Sequence, residues 1–250
     1  MTRLSRALDT ALGLTLMGAL TMAIVTAMPT GAQAAESVAG SAQTSTERRS
    51  VGDIDEVVLT GGFDLRVQQG STPAIELRGD AALLPLIDTV QDGQRLTIRW
   101  KRDSAVRARA LPTITLTVVR LRKLAAAGSG NIHVDGLKTP SLDASISGAG
   151  DIHLGGLVSD TLAMRIAGSG DMTASGQATR LQVKIAGSGD VRASGLKADE
   201  VSVSIAGSGD AAVHADKSLE VRIAGSGDVA YSGNAAVSQS IVGSGSVRKR

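Results

Sequence analysis

A Gly-Ser-Gly-Asp pattern recurs along the second half of the chain and restricts the folds that it can adopt. The first glycines of seven successive copies are 20, 20, 19, 20, 18 and 18 residues apart. A period of this length, kept over seven copies, indicates a solenoid in which each repeat stacks on the one before. The glycines assigned to structural turns are Gly128, Gly130, Gly148, Gly150, Gly168, Gly170, Gly187, Gly189, Gly207, Gly209, Gly225, Gly227, Gly243 and Gly245.

Each repeat has the same internal pattern. An alternating run such as Leu181-Gln182-Val183-Lys184-Ile185 precedes the glycine turn, and apolar residues at every second position indicate a half-buried strand. A shorter apolar pair follows the turn, as at Val191 and Ala193. A second turn, Ser194-Gly195 in this repeat, closes the coil.

The repeat length favours an all-β, single-stranded parallel β-helix (β-solenoid) with coils of about 18–20 residues. A β-α-β crossover needs about 30 residues, which is more than one repeat supplies. We expect equivalent residues to stack about 4.8 Å apart, so that Ile166, Ile185, Ile205 and Ile223 form one inner column. An antiparallel meander is the competing architecture, but its neighbouring strands would not repeat one residue type at one depth.

The scarcity of large side chains agrees with a thin, layered core. The chain has three aromatic residues, Phe63, Trp100 and Tyr231, so Ala, Val, Ile and Leu supply nearly all of its apolar mass. A compact globule of 250 residues ordinarily uses aromatic rings to fill its interior. A stack of small and β-branched side chains does not need them.

The first 34 residues have the pattern of a signal peptide. Arg3 and Arg6 give a positive start, and residues 11–28 are uncharged and mainly apolar. Ala32-Gln33-Ala34 then fits the small-x-small rule for cleavage. We therefore expect residues 1–34 to be removed on export.

The alternative for this segment is an uncleaved transmembrane anchor, since its apolar stretch is near the lower limit for crossing a bilayer. Pro29 and Gly31 interrupt the apolar helix just before the cleavage site, which favours cleavage before Ala35. Residues 35–50 are polar and rich in Ser, Thr, Gly and Ala, so they predict a flexible leader. The folded domain is then expected to be residues 51–250.

Residues 51–125 are less periodic than residues 126–250, which carry the repeats. Ala81–Ile87 predicts a short helical turn that Pro85 limits, and Asp92-Gly93 predicts a tight turn between strands. We expect this section to enter the same sheets and to cap the N-terminal end of the solenoid, because an open end recruits other chains. The predicted strands are residues 53–59, 63–68, 74–78, 95–100 and 112–119.

Over about residues 51–247 the chain resembles the head GIN domain family of auto-transporter adhesins. The resemblance implies a right-handed β-helix, export and an adhesive or surface-binding role. It is carried by Gly62-Phe63-Asp64-Leu65 with Val67 and Gln69-Gly70, by Gly93-Gln94-Arg95-Leu96-Thr97-Ile98, by Pro112-Thr113-Ile114-Thr115-Leu116 and by residues 124–130, which lead into the repeats.

A column of carboxylates is the first candidate site. Carboxylates about 5 Å apart repel one another unless something compensates, and calcium would do so. We favour the alternative, in which each Asp caps backbone N–H groups of its own turn. Each coil supplies one carboxylate here, and the motif differs from the nine-residue calcium repeat. The column consists of Asp151, Asp171, Asp190, Asp210 and Asp228.

A histidine pair is the second candidate. His133 and His153 occupy equivalent outward positions in adjacent repeats, and stacked imidazoles bind metals. Only two ligands are evident, and Thr173 and Arg192 continue the column, so we favour a functionally silent pair and assign no metal site. His214 has no partner that the repeat pattern reveals.

The sequence gives little support for catalysis. The chain has no cysteine, which excludes thiol catalysis, and its turn serines show no recurring Ser, His and acid constellation. We therefore predict a protein that is not an enzyme, with no catalytic residues and no cofactor. A polysaccharide-active β-helix enzyme is the third interpretation, and the rungs lack the aromatic residues on which sugars stack.

The preferred function is an exported surface or envelope binding module, an adhesin head domain, whose ligand is a cell-surface, glycan or envelope component. The alternative is a periplasmic structural or scaffolding protein that forms a homo-oligomer through its solenoid ends or faces. The expected location is the periplasm, the cell surface or the extracellular space. A formal charge of +2 predicts no nucleic-acid partner, and the tail Arg248-Lys249-Arg250 discourages strand pairing at the last edge.

Overall fold

The computed structural model describes residues 38–39, 43–102, 106–107 and 110–250. In these ranges the chain is all-β, and stacked parallel coils form a β-solenoid, as the sequence predicts. The strands are β1 (Val38–Ala39), β2 (Thr44–Arg49), β3 (Glu56–Thr60), β4 (Asp64–Gln69), β5 (Ala74–Asp80), β6 (Ile87–Asp92), β7 (Arg95–Trp100), β8 (Val106–Arg107), β9 (Thr113–Val118), β10 (Lys123–Gly128), β11 (Asn131–Asp135), β12 (Lys138–Gly148), β13 (Ile152–Gly168), β14 (Met172–Gly187), β15 (Val191–Gly207), β16 (Ala211–Gly225), β17 (Val229–Ser232), β18 (Ala236–Gly243) and β19 (Val247–Lys249).

Two sheets and a bend make up each coil of the repeat region. The long sheet contains the alternating runs that end at the glycine corner, and the short sheet contains the apolar pairs that follow the corner. The bend, which we call the third face, returns the chain from the short sheet to the long sheet, and register shifts occur at or beside it. In β14 these three parts are continuous over Met172–Gly187.

The repeats stack in register, which confirms the predicted inner column. Ile166 pairs with Ile185, Ile185 with Ile205, and Ile205 with Ile223, all in parallel strands. These four side chains are at most 2% exposed. The antiparallel meander is therefore excluded for the repeats.

The two glycines of each corner serve different purposes. Gly187 has a φ of +135°, which a residue with a side chain rarely adopts. Gly189 has no positive φ, but a β-carbon there would lie 2.1 Å from the carbonyl oxygen of Gly170 in the coil below. The first glycine thus allows the turn, and the second lets one coil rest directly on the backbone of another.

In the N-terminal section the spatial order of the strands departs from their order in the chain. β3 pairs in parallel with both β7 and β10, and β4 pairs in parallel with both β9 and β11. The coil made by β3 and β4 therefore lies between a coil made by β7 and β9 and the first coil of the repeats. This section joins the same two sheets, as predicted, but in a non-sequential order.

Antiparallel strands cover the N-terminal end of the solenoid. β5 adds to β9, and β2 adds to β5 in the short sheet, while β6 adds to β7 in the long sheet. The Arg49 side chain donates hydrogen bonds to the carbonyl oxygens of Ile87 and Leu84, at 2.6 and 3.0 Å. It thereby ties β2 to the start of β6 across this end.

The core changes in character along the chain. Near the capped end Phe63 is fully buried, and its ring lies 4.5 Å from that of Trp100, measured between centroids. In the repeats the inward positions hold Val, Ile, Leu, Met and Ala. Large rings fill the irregular end, and small side chains suffice where identical coils stack.

Two local predictions need correction or refinement, and a third is borne out. Thr44–Arg49, which the sequence places in the flexible leader, forms β2; its alternation of Thr, Ser, Glu and Arg leaves no buried apolar face for a periodicity search to find. The helical turn predicted over 81–87 is a 3₁₀ turn at Leu84–Leu86, and Pro85 lies within it. The tight turn predicted at Asp92-Gly93 is formed by Gly93 and Gln94, and it joins β6 to β7.

The signal-peptide prediction for residues 1–34 falls outside the described residues. In the part of the chain that the structure does describe, no helix has the length and apolarity needed to cross a bilayer.

Candidate functional site

The predicted aspartate column is formed, and its members link neighbouring coils. The Oδ1 atom of Asp151 accepts the backbone N–H of Asp171 at 2.9 Å, and Oδ1 of Asp171 accepts that of Asp190 at 2.9 Å. The same contact continues through Asp210 and Asp228 to Ser246. Each carboxylate thus accepts a hydrogen bond from a backbone N–H of the next coil. This corrects the expectation that it caps N–H groups of its own turn.

Two arginines offset the repulsion within this column. Arg192 bridges the Oδ2 atoms of Asp171 and Asp190, at 2.8 and 3.1 Å. Arg248 donates to Oδ2 of Asp228 at 2.9 Å. Because these oxygens already accept hydrogen bonds, the geometry favours a structural role for the column over calcium binding.

The contacts of Asp171 keep its carboxyl group ionised. Burial opposes ionisation, but the backbone N–H of Asp190 and the guanidinium of Arg192 outweigh it, so the pKa of Asp171 is below its ordinary value. At the last rung the hydroxyl and the backbone N–H of Ser246 hold the pKa of Asp228 below its ordinary value, and Arg248 adds to this effect. Asp171 and Asp228 are therefore charged at neutral pH.

The three histidines differ in their partners. His214 is part-buried, with Nδ1 2.9 Å from the Ser232 hydroxyl and Nε2 3.1 Å from Oδ1 of Asp216, two partners that the repeat pattern does not reveal. His133 and His153 are exposed neighbours, as predicted. Among the described residues no group of three or more His, Cys, Asp or Glu side chains is placed to hold a metal ion as it stands.

The third face holds a groove that the sequence did not predict. It has a volume of about 710 Å³ and extends over five coils, from Lys138 to Asp216. Four steps between coils correspond to a length of about 19 Å. The nearly buried residues Thr139, Ser159 and Ala178 lie along its floor.

Opposite charges line the two sides of this third-face groove. Lys138 and Lys197 stand at equivalent positions on one side, since Lys138 pairs with Val158, Val158 with Gln177, and Gln177 with Lys197. Asp160, Asp199 and Asp216 lie on the other side. The groove therefore offers ammonium donors on one side and carboxylate acceptors on the other.

Charges on the outer face of the long sheet are partly paired, as Asp199 and Asp216 are in the groove by Lys217 and His214. Arg165 forms an ion pair with Asp143, and Arg222 forms one with Glu220. Lys184 lies between them in the same column. This face supplies a charge-matched reference for the groove.

The sequence of residues 53–235 matches the family described as "Putative auto-transporter adhesin, head GIN domain". The chain belongs to this family. The sequence resemblance noted above is thereby confirmed, and the solenoid of this head GIN domain is the scaffold that carries the third-face groove. No curated protein matches the chain significantly.

Solved structures share the fold of this head GIN domain over nearly their whole length. A putative adhesin from Bacteroides fragilis has a TM-score of 0.78 at 24% identity, with 84% of this chain and 99% of that chain covered. A putative lipid binding protein from Parabacteroides distasonis has a TM-score of 0.71 at 26% identity, with 84% and 98% covered. A putative adhesin from Parabacteroides merdae has a TM-score of 0.66 at 25% identity, with the same coverage.

The groove escaped sequence analysis because its residues lie where the strand period is interrupted. The pairing register shifts between Leu154 and Leu157, and again between Thr173 and Ser175. The sequence does contain a signal for the groove. Lys138 and Lys197 are three repeats apart, and Asp160 and Asp199 are two repeats apart, so like charges recur at equivalent positions. Aligning the repeats on the bend, rather than on the glycine corner, would have found both columns.

Proposed function

We propose that this head GIN domain is an exported, non-catalytic binding module that holds a hydroxyl-rich polymer, such as a glycan strand, along the third-face groove. The observation that carries the proposal is that two lysines face three carboxylates across a groove that spans five coils. Family membership supports a role in adhesion. The alternative of a polysaccharide-active enzyme has no comparable support.

The chemistry of the groove suits a hydroxyl-rich ligand. Carboxylates such as Asp160 accept hydrogen bonds from sugar hydroxyls, and the ammonium groups of Lys138 and Lys197 donate to sugar oxygens. These contacts are individually weak because they are exposed to water. Repetition along the axis lets several sugar units bind at once, so affinity should increase with polymer length.

A glycan array tests this proposal. Neutral, acidic and amino-substituted glycans of increasing length are probed with the labelled full chain. We expect saturable binding to at least one class, with affinity that rises with length. In the double variant Lys138→Gln/Lys197→Gln, and separately in Asp160→Asn, binding should weaken by about tenfold, since each change removes a donor or an acceptor from the groove.

The matched control is Arg165→Gln/Lys184→Gln, which removes the same two charges from the outer face of the long sheet. This control should bind as the unaltered protein does. The proposal is wrong if no glycan class binds saturably, or if the control weakens binding as much as the groove variant does. Lipid vesicles belong in the same panel because one similar structure is named a lipid binding protein; binding to vesicles alone would also contradict the proposal.

Export is tested by protease shaving of intact cells, followed by fractionation and detection of the mature chain. Loss of the protein to external protease supports a surface adhesin. Survival of the protein in the periplasmic fraction would instead support binding of an internal envelope component. Recovery of the full-length, uncleaved chain from the cytoplasm would contradict export.

A structural role is the second candidate, and exposed apolar residues near the last coil favour it. On β18 the side chains of Val237 and Val242 are 38% and 73% exposed. Among the described residues β18 pairs only with β16. Sedimentation velocity on the full chain and on Val242→Ser distinguishes the candidates: concentration-dependent assembly that Val242→Ser abolishes supports a scaffold, and a monomer at all concentrations rejects it.

A further inference from the structure

Two exposed imidazoles lie side by side on the outer face of the short sheet. His133 on β11 and His153 on β13 are in-register neighbours in parallel strands. Their ring centroids are 6.0 Å apart, and the ring planes are inclined by 47°. Stacking of the coils thus brings together two residues that are 20 positions apart in the chain.

The nitrogens of this pair differ from those of His214. Both ring nitrogens of His214 are engaged, by Ser232 and by Asp216. Within the described ranges, neither His133 nor His153 forms a hydrogen bond or an ion pair through its ring. Their nitrogen lone pairs are therefore available to an ion from solvent.

The backbone leaves an open space beside the pair. Asp135 is the in-register neighbour of Gly155, which has no side chain. A β-carbon at Gly155 would lie 2.6 Å from Oδ1 of Asp135 and 3.5 Å from Nε2 of His153. A carboxylate oxygen and an imidazole nitrogen therefore border the same gap, which a side chain at position 155 would fill.

This set of donors has a defined metal preference. Imidazole suits Zn²⁺, Ni²⁺ and Cu²⁺, and it binds such ions at about 2.0–2.1 Å. One carboxylate oxygen completes three protein ligands, and water fills the remaining positions. Calcium and magnesium prefer oxygen ligands and would compete poorly.

We propose that His133, His153 and Asp135 form a surface site for a divalent transition-metal ion of the zinc, nickel and copper type. Because no three of the described side chains are placed to hold an ion as they stand, the site requires the exposed rings to rotate on binding and bring their nitrogens into the first coordination sphere. The ion cross-links two adjacent coils of the solenoid. It binds the folded chain in preference to the unfolded one, so it raises thermal stability by mass action.

Calorimetric titration of the full chain with ZnCl₂ and with NiCl₂ tests the site, together with thermal melts in the presence of each metal. We expect one ion per chain and a rise in the melting temperature. His133→Gln or His153→Gln should weaken binding by tenfold or more, and the double variant should abolish it. Asp135→Asn should weaken it by a smaller factor, since the imidazoles remain.

His214→Gln is the matched control, and it should bind metal as the unaltered chain does. Circular dichroism without metal verifies that each variant is folded, so that loss of the site is separated from loss of the fold. Gly155→Ser provides an independent variant that keeps both imidazoles but fills the gap, and it should also weaken binding. The proposal is overturned if the double histidine variant binds as tightly as the unaltered chain, or if binding occurs only at millimolar metal without a defined stoichiometry.

Discussion

The capped N-terminal section and the repeat section use the same two sheets but are held together by different means. In the N-terminal section strands are out of chain order, antiparallel strands cover the end, and Phe63 packs on Trp100. In the repeats each coil lies directly on an equivalent one, with glycine corners in backbone contact. One section depends on a few large contacts between distant segments, and the other depends on many identical contacts between neighbours.

The comparison shows what each kind of packing tolerates. An irregular coil should tolerate a substitution at an exposed position with little loss of stability. Its stability depends strongly, however, on its few large buried side chains. A stacked coil has small side chains, none of which contributes much alone, yet its corners have no free space at all. Substitutions at matched positions in the two sections separate these effects.

The largest effect is expected at a glycine corner. In Gly189→Ala the new β-carbon would lie 2.1 Å from the carbonyl oxygen of Gly170, so two coils must separate. We expect a loss of about 4 kcal/mol or more in the free energy of unfolding. Gly93→Ala is the control from the N-terminal section: nothing lies within 4 Å of its β-carbon, and only its φ of +57° is unfavourable.

Urea denaturation followed by circular dichroism measures both glycine variants. The control should lose about 1–2 kcal/mol, which is the cost of a left-handed backbone for alanine. Equal losses in the two variants would mean that coil-to-coil contact at the corner adds nothing to the effect of backbone conformation.

The core supplies the second test. Phe63→Ala removes a fully buried ring that packs on Trp100, and it should lower the free energy of unfolding by about 3–5 kcal/mol. Ile205→Val removes one methylene from a column in which each rung is supported by the next, and it should cost about 0.5–1.5 kcal/mol. The same denaturation measurement applies. A cost for Ile205→Val that equals that of Phe63→Ala would contradict the division between the two sections.

The smallest effect concerns the aspartate column and its response to acid. Asp171→Asn replaces the carboxylate that accepts a hydrogen bond from the backbone N–H of Asp190 and pairs with Arg192. The substitution should lower the free energy of unfolding by about 1 kcal/mol at neutral pH. Because the folded-state pKa of Asp171 is below its ordinary value of 3.8, the unfolded chain binds more protons. The stabilisation is therefore present above about pH 4 and is lost as the pH falls through the folded-state pKa.

Thermal melts between pH 7 and pH 2.5 follow this loss. The unaltered chain should lose stability below pH 4, and Asp171→Asn should lose less over the same interval because it has one carboxylate fewer to protonate. Asp92→Asn, at the tip of the hairpin in the N-terminal section, should keep the acid response of the unaltered chain. An identical acid response in Asp171→Asn would show that the column does not couple stability to pH.

The fold of the repeats was predictable from sequence because the same local pattern occurs in every repeat. The alternation before each corner and the fixed spacing were enough to place Ile166, Ile185, Ile205 and Ile223 in one column. At each corner the sequence explains the need for one of the two glycines. Positive φ explains Gly187, but the need for Gly189 comes from the coil below, which no single repeat reveals.

The N-terminal section was not predictable to the same depth, because its pairings join segments that share no motif. β2 pairs with β5 through a strand whose exposed residues carry no apolar period. Nothing local in β3 indicates that it lies between β7 and β10. The third-face groove was missed for a related reason, since it follows the bend, where the spacing between coils varies.

The out-of-order coil has a consequence for the sequence of events during synthesis. β3 and β4 leave the ribosome before either of their neighbours, since β7, β9, β10 and β11 all come later in the chain. Until those segments emerge, this coil has two unpaired edges, and each must wait for a contact that spans tens of residues. Each later repeat needs only the repeat made just before it. Contacts that are close in sequence form faster than distant ones, so the repeats should stack on one another sooner than β10 and β11 pair with β3 and β4.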